Sequence, residues 1–367
     1  MSDLETTVTV IDAAARAHVG VILWSNPGIG KSSVVRALAS ADGVPMETVI
    51  GSQREPVDIA GWPMVDDGVV RLALPDWARN LVDANGGYLF LDELTTCSPS
   101  VRAAMLTVIQ ERMVGRVKLP DAVRIVAAAN PPDCAAGGDD LDAPTANRFL
   151  HIEFEPTADE WLTGLRTNFA SLPASRAVAA DVARLAEEIG ALAAFIEARP
   201  NLRNRMPTVD EAAGRPWPSH RSWHSLARVL THLRQDDTAA IAAAAMGLVG
   251  DGAGSEFVQW RASVDLPAVA DVIADPSIVD WAGARPDRLW AVLSGVVAWA
   301  SSKGTKDAWM TAWGPLVEAA THGAPDVAGA AARALSVAMP PGAKPPASAR
   351  RFKDVMIAAG LDEGNAA

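Results

Sequence analysis

The sequence predicts an α/β domain built on a parallel, doubly wound five-stranded sheet, with helices following it to the end of the chain. Three observations carry that expectation. Five strand-like stretches, apolar at Val19–Trp24 and Gly87–Leu91, read as strands at Val44–Ile50 and Val123–Ala129 and alternating at Arg148–Phe154, are separated by stretches with helical spacing. The first run breaks into a Pro/Gly loop ending in Gly30-Lys31-Ser32 and resumes helical spacing from Val34 to Ser40. Beyond Pro156 the composition shifts to Ala, Leu, Glu and Arg at helical periods.

Taken in order, residues 4 to 17 read as a short amphipathic helix that places Val8, Ile11, Ala14 and Ala15 on one face. The stretch Asn26-Pro27-Gly28-Ile29-Gly30-Lys31-Ser32-Ser33 has the strand–loop–helix context of a phosphate-binding loop. In such a loop the backbone N–H groups turn toward a polyphosphate, Lys31 reaches its outer phosphates, and Ser32 ligates Mg²⁺ at a positive helix N-terminus. The consensus asks for glycine at position 25, and Ser25 stands there. A small serine serves if its φ is negative.

A Gly/Pro-rich excursion, Gly51 to Asp76, contains a hairpin in which Trp62–Val65 and Val69–Leu72 flank Asp66-Asp67-Gly68, and Pro75 opens a helix after it. The run Gly87–Leu91 ends in Asp92-Glu93. Two adjacent carboxylates at the end of a buried strand are costly unless a cation or partner meets them. In a nucleotide site they divide the work: Asp92 holds Mg²⁺ through its water shell, and Glu93 orients and deprotonates the attacking water. Alone, such a pair is no more than a strand end; its place about 60 residues after the Lys-Ser loop gives it meaning. Ser98-Pro99 opens a helix over Ser100 to Gln110, and Glu111 to Leu119 reads as a small hairpin turning at Gly115. The run Val123–Ala129 ends in Asn130-Pro131, where an amide at the same end of the sheet can hold the attacking water. Ala143 to Asn147 is a brief helix before the last strand.

The helical part divides into Asp159–Leu172, Ala174–Ala198, Ser222–Gln235, Ala239–Val249 and Gly254–Ser263, then Arg288–Ser301, Lys306–Thr321 and Asp326–Met339, with a last short helix at Arg350–Gly360. Residues 1–155 are expected to form the nucleotide-binding domain, 156–264 a helical lid, and 265–367 a helical extension.

Composition limits the function classes. Net charge is −12, and Lys and Arg are scattered among carboxylates, which gives no electrostatic case for a large nucleic-acid surface. The N-terminus lacks a signal-peptide layout, and no apolar run reaches the roughly 20 residues of a membrane span, so a cytoplasmic protein is expected. Cys97 and Cys134 are the only cysteines, without metal spacing, and are read as unpaired thiols. The 12 tryptophans against a single tyrosine suggest no function.

Ser25–Ser32, Leu89-Phe-Leu-Asp-Glu93, Ala129-Asn-Pro131 and Asn147-Arg-Phe149 together resemble the AAA+ ATPases of the MoxR and dynein-related branch, over about residues 5 to 260. The resemblance implies ATP and Mg²⁺ as ligands and a homo-oligomeric ring, most commonly a hexamer. It implies that Asn130 is the first sensor and that Arg148 is an arginine finger reaching the neighbouring subunit's nucleotide. Arg221, in Pro218-Ser-His-Arg-Ser-Trp223, resembles the second sensor touching the phosphates from the lid, although relatives carry Pro-Arg where this chain has His220-Arg221. Arg112 and Arg116 are alternative trans-acting groups. The two hairpins look like the branch's insertions. The implied work is remodelling or maturation of a protein client, for which a von Willebrand factor A domain protein is a candidate. The alternatives are a nucleic-acid-directed motor and a nucleotide-gated scaffold with little turnover; the acidic charge argues against the first and Glu93 against the second.

Overall fold

Five strands form one parallel sheet: β1 (Gly20–Trp24), β2 (Met46–Ile50), β3 (Gly87–Asp92), β4 (Val123–Ala129) and β5 (Phe149–Glu153), ordered β2-β3-β4-β1-β5. The computed structural model describes residues 3–131, 134, 140–167, 172–208 and 214–354. β1 is buried throughout, and β3 and β4 nearly so, which is why they read as continuous apolar runs. On one face Ile22, Leu89, Leu91, Ile125 and Ala127 share a core with Met105, Val108 and Ile109 of helix Pro99–Glu111 and with Trp77 and Leu81 of helix Asp76–Asp83. Each fully buried Leu or Ile there contributes roughly 1.5–3 kcal/mol.

Register fixes the working end of the sheet. Trp24 lies opposite Ala129 on β4 and Glu153 on β5, and Leu91 opposite Ala127. The carboxyl ends of β1, β3 and β4 therefore lie together, the end of such a sheet where ligands bind. Helix starts follow local capping chemistry. Asp3 accepts the Thr6 N–H (2.7 Å) for helix Leu4–Arg16, Ser98 accepts from Val101 (3.4 Å), and Asp142 accepts from Thr145 (2.7 Å) for the short helix Ala143–Ala146.

Both hairpins form, as Trp62–Asp66 with Val69–Ala73 and as Met113–Val114 with Val117–Lys118. The first exposes apolar residues on both faces, among them Trp62, Met64, Val65 and Val70. A short helix at Pro56–Ala60 precedes it, which the Gly/Pro content had hidden.

Several helix boundaries differ from expectation, among them the helix expected at 222–235, which spans His220–Leu230. Residues 174–181 are irregular, and the helix there is Val182–Ala198, capped by Asp181. Tertiary partners take the backbone of the irregular stretch: the Arg176 N–H donates to Thr9 Oγ1 (3.2 Å), the Val178 N–H to the His232 carbonyl (2.8 Å), and the Arg176 guanidinium pairs with Glu5 and Asp237. The helix expected at 159–172 spans Ala158–Arg166 and leaves Leu172 irregular. The last element is a 3₁₀ turn at Ala347–Phe352, and the rest of the expected 350–360 helix beyond Asp354 lies outside the described residues.

Packing divides the chain into two compact units, one comprising residues up to 178 with 204–255, the other 179–203 with the chain from 256 onward. These cuts fall elsewhere than at 155 and 264. In the second unit, helices Val182–Ala198 and Pro286–Lys303 approach so closely that a Cβ on Gly190 would lie 2.5 Å from the Gly295 nitrogen. Its core holds Trp309 and Trp313, 5.6 Å apart edge to face, and the Trp309 indole N–H donates to the Leu335 carbonyl (2.7 Å). Several of the tryptophans are thus core-filling residues.

Candidate functional site

The loop after β1 takes its shape from two glycines. Gly28 and Gly30 have φ of +80° and +106°, a region that costs other residues a steric penalty. Ser25, buried at the end of the strand, is not among the positive-φ residues, so a side chain is tolerated where the consensus has glycine. Helix Lys31–Asp42 starts at Gly30 with no side-chain cap. Its first N–H groups are left for an anion, at the positive end of the helix dipole.

Lys31 crosses from this helix to β4. Its Nζ donates to Asn130 Oδ1 (2.7 Å), to the Ser25 carbonyl (2.9 Å) and to Ser25 Oγ (3.1 Å). Burial pushes the Lys31 pKa down, and the charge of nearby Asp92 works against that. Burial pushes the Asp92 carboxyl up; the Glu93 N–H, which Asp92 Oδ1 accepts at 2.9 Å, and the Lys31 charge pull it down, while the Glu93 charge adds to the rise. Glu93 itself sits at φ +57°, an uncommon conformation for a glutamate. Backbone strain of this kind gathers where a side chain must be aimed. The Glu93 carboxylate accepts the hydroxyl of Ser52, from the 3₁₀ turn after β2.

Among the described residues no group of three His, Cys, Asp or Glu side chains is placed to hold a metal. A divalent cation at this site must therefore take most of its ligands from phosphate and water. That suits Mg²⁺, which keeps several waters, and half-buried Asp92 and Ser32 are the protein groups placed to share it. Beside the loop lies a cavity of about 800 Å³. Gly28 to Gly30, Ser33 and Val34 line one side of it, and Phe154, Trp161 and Leu172 another. The volume and apolar walls suit a nucleoside. Helix Ala158–Arg166 buries none of its residues, and Trp161 is 48% exposed, so this wall is ready for an occupant.

The arginines lie elsewhere. Arg148 precedes Phe149, which pairs with Gly20 at the amino end of β1, whereas the loop leaves β1 after Trp24. At about 3.3 Å per residue the two are roughly 15–20 Å apart. Arg148 Nε donates to Gln110 Oε1 (2.8 Å) and its Nη1 to the Pro144 carbonyl (2.6 Å). Burial and the nearby positive charge of Arg221 push its pKa down. The charge of Arg221 thus reaches Arg148. The cause is local: Ser219, which caps helix His220–Leu230, donates its hydroxyl to Asn147 Oδ1 (2.6 Å), and Asn147 Nδ2 donates to the Trp217 carbonyl (2.8 Å). Arg112 is buried, with its guanidinium on the carbonyls of Pro120 (2.9 Å) and Val123 (2.7 Å), which makes it a structural residue of the second hairpin and not a trans-acting group. Arg116 is exposed in the turn of that hairpin.

Of the residues singled out from sequence, Lys31, Asn130, Asp92 and Glu93 meet at the carboxyl end of the sheet, with Asn26 to Ser33 beside them. Ser52, Gln110 and Trp161 were not foreseen. Ser52 alone carried a signal, as a polar side chain two residues beyond the end of a strand.

A glycine loop with an amine-bearing helix start, an acidic strand end and a polar strand end beside it on a β2-β3-β4-β1-β5 parallel sheet define a P-loop ATPase domain. Residues 20–149 match the AAA domain of the dynein-related subfamily. It is 33% identical over 111 residues to the transcriptional regulatory protein XylR of Pseudomonas putida, covering 29% of this chain and 20% of that one. It is 26% identical over 150 residues to midasin of Giardia intestinalis, covering 39% of this chain and 3% of that one. The chain thus spans a fifth or less of the length of these relatives. Among solved structures, a Cytophaga hutchinsonii protein assigned as an ATPase aligns over 71% of this chain and 80% of its own, with 14% identity and a TM-score of 0.41.

Proposed function

We propose that the chain is an Mg²⁺-dependent ATPase that works as a homo-oligomeric ring, a hexamer, and couples hydrolysis to remodelling of a protein client. The observation that carries the proposal is the meeting of Lys31, Asn130, Asp92 and Glu93 at one end of the sheet while Arg148 and Arg221 stand at the other. A site complete in one subunit has no use for an arginine pair it cannot reach; a ring places that pair against the next subunit's phosphates.

On this reading the backbone of Asn26 to Gly30 and the N–H groups of Lys31 to Ser33 cradle the phosphates. Lys31 exchanges its bonds to Ser25 and Asn130 for phosphate oxygens, and the freed Asn130 amide holds the attacking water. Glu93, once parted from Ser52, accepts a proton from that water. Mg²⁺, shared by Ser32 and Asp92, would neutralise charge on the phosphates. Arg148 offsets charge on the transferring phosphoryl group, an effect worth about 10³–10⁵ in rate where measured in NTPases. Arg221, by its place beside Arg148, serves the same neighbouring nucleotide. The nucleoside occupies the cavity walled by Trp161 and Phe154. The exposed apolar hairpin Trp62–Ala73 suits a polypeptide client, and a von Willebrand factor A domain protein remains the candidate.

Two variants test the assignment. Lys31→Ala is expected to lose ATP binding in a fluorescent-nucleotide titration. Glu93→Gln is expected to bind ATP as tightly as wild type and to lose phosphate release by about 100-fold or more. Equal turnover by wild type and Glu93→Gln would sink the catalytic reading. The Glu93→Gln protein, held with ATP, is also the bait for the client.

A further inference from the structure

We propose that Gln110 is the positioning residue for Arg148, and that helix Pro99–Glu111 ties the arginine presented to a neighbouring subunit to the loop that carries this subunit's own Glu93. The inference rests on the trans role of Arg148 argued above and adds a residue and a route to it.

Helix Pro99–Glu111 begins a few residues after Glu93 and runs down the sheet toward the amino ends of the strands. It braces the segment before β5 at two levels. In its first turn Arg102, 8% exposed, donates to the Thr95 carbonyl (3.4 Å) in the loop after Glu93 and faces Asp142 at 4.0 Å. Asp142 caps the short helix Ala143–Ala146, which leads directly into Asn147-Arg148. Eight residues further along, about 12 Å down the helix, Gln110 Oε1 accepts the Arg148 Nε–H at 2.8 Å. The Pro144 carbonyl takes a second guanidinium nitrogen at 2.6 Å. Among the described residues the Arg148 guanidinium donates to a neutral amide and a carbonyl and not to a carboxylate, although the Asp142 charge acts on it from nearby; these two acceptors orient the guanidinium without neutralising it, and its charge remains available to an incoming phosphate. A carboxylate at position 110 would hold the arginine in the same place and compete for it.

That chemistry sets the test, on the full chain under conditions of ATP turnover. Gln110→Met keeps the length, helix propensity and exposed setting of the side chain and removes the acceptor. It is expected to lower kcat about 3- to 10-fold with KM for ATP unchanged, the size expected for one lost positioning hydrogen bond. Gln110→Glu keeps an acceptor and is expected to restore the position but to make turnover salt-dependent, rising with ionic strength as the new ion pair is screened. In the double variant with Arg148→Ala, Gln110→Met should add nothing to the loss caused by Arg148→Ala alone. Wild-type kcat in Gln110→Met, or losses that multiply in the double variant, would overturn the positioning role while leaving Arg148 in place. Full turnover by Arg148→Ala alone would overturn the trans reading and this inference with it, and the two failures are therefore told apart by the single variants.

Discussion

At the scale of single residues, the site is a set of polar groups held in a partly dry pocket by their own mutual bonds. Lys31, Ser25 and Asn130 satisfy one another, as do Glu93 and Ser52, and each of these bonds is one that nucleotide or water would replace. Behind them stands His151 on β5, which accepts the Trp24 indole N–H at Nδ1 (2.9 Å); its Nε2 is therefore the protonated nitrogen and donates to the Ala146 carbonyl (2.8 Å). Burial lowers its pKa from 6.5 to about 4. The sign of the stability effect follows. Above pH 6.5 the imidazole is neutral in both folded and unfolded chains. Between about 6.5 and 4 the unfolded chain takes up a proton that the folded chain refuses, so stability falls as pH falls through that window. Thermal melts from pH 7.5 to 4.5 should show this slope, and His151→Gln, which does not titrate, should flatten it. An unchanged slope in the variant would assign the acid sensitivity to other groups.

At the scale of elements, the short link between helix His220–Leu230 and the turn carrying Arg148 matters more than its size suggests. Ser219 caps that helix by accepting the Ser222 N–H (3.0 Å) and donates its hydroxyl to Asn147 (2.6 Å), all within a buried cluster. Ser219→Ala removes a cap and leaves the Asn147 amide oxygen short of a donor, a loss of about 2 kcal/mol. Urea denaturation should show that shift in midpoint without a change in slope, and ATP turnover should fall with it while nucleotide binding holds. Elements of this kind mark the limit of the sequence. The strands were legible because two-sided burial forces continuous apolar residues, and Lys31, Asp92, Glu93 and Asn130 were legible because they end such strands or begin the helix after one. Arg221 was legible as a residue and not as a place: a helix-capping serine bonded across 72 positions to Asn147 sets where it stands. Gln110 and Ser52 act through single hydrogen bonds to residues far along the chain, and no local pattern encodes such a bond. Residues 174–181 looked helical by spacing and were drawn out by Arg176, whose partners Glu5 and Asp237 lie in other helices or their caps.

At the scale of the whole molecule, the proposed ring follows from where charge is placed. The Arg221 charge acts on Arg148 and raises the cost of its positive charge, which suits a guanidinium kept for an anion. The subunit's own phosphate loop is roughly 15–20 Å away along the strands, beyond the reach of an arginine side chain. Complementation between two inactive variants tests this directly. Arg148→Ala subunits keep an intact loop and Lys31→Ala subunits keep an intact arginine, and neither variant alone should turn over ATP above a small residual rate. In randomly mixed rings at equal proportions, a productive interface needs an intact loop on one side and an intact arginine on the other, so about a quarter of interfaces qualify. Phosphate release should therefore return to about a quarter of wild type on mixing and vary with the mixing ratio as the product of the two fractions. A flat baseline at every ratio, in rings shown by sedimentation to contain both variants, would mean that Arg148 serves its own subunit or none.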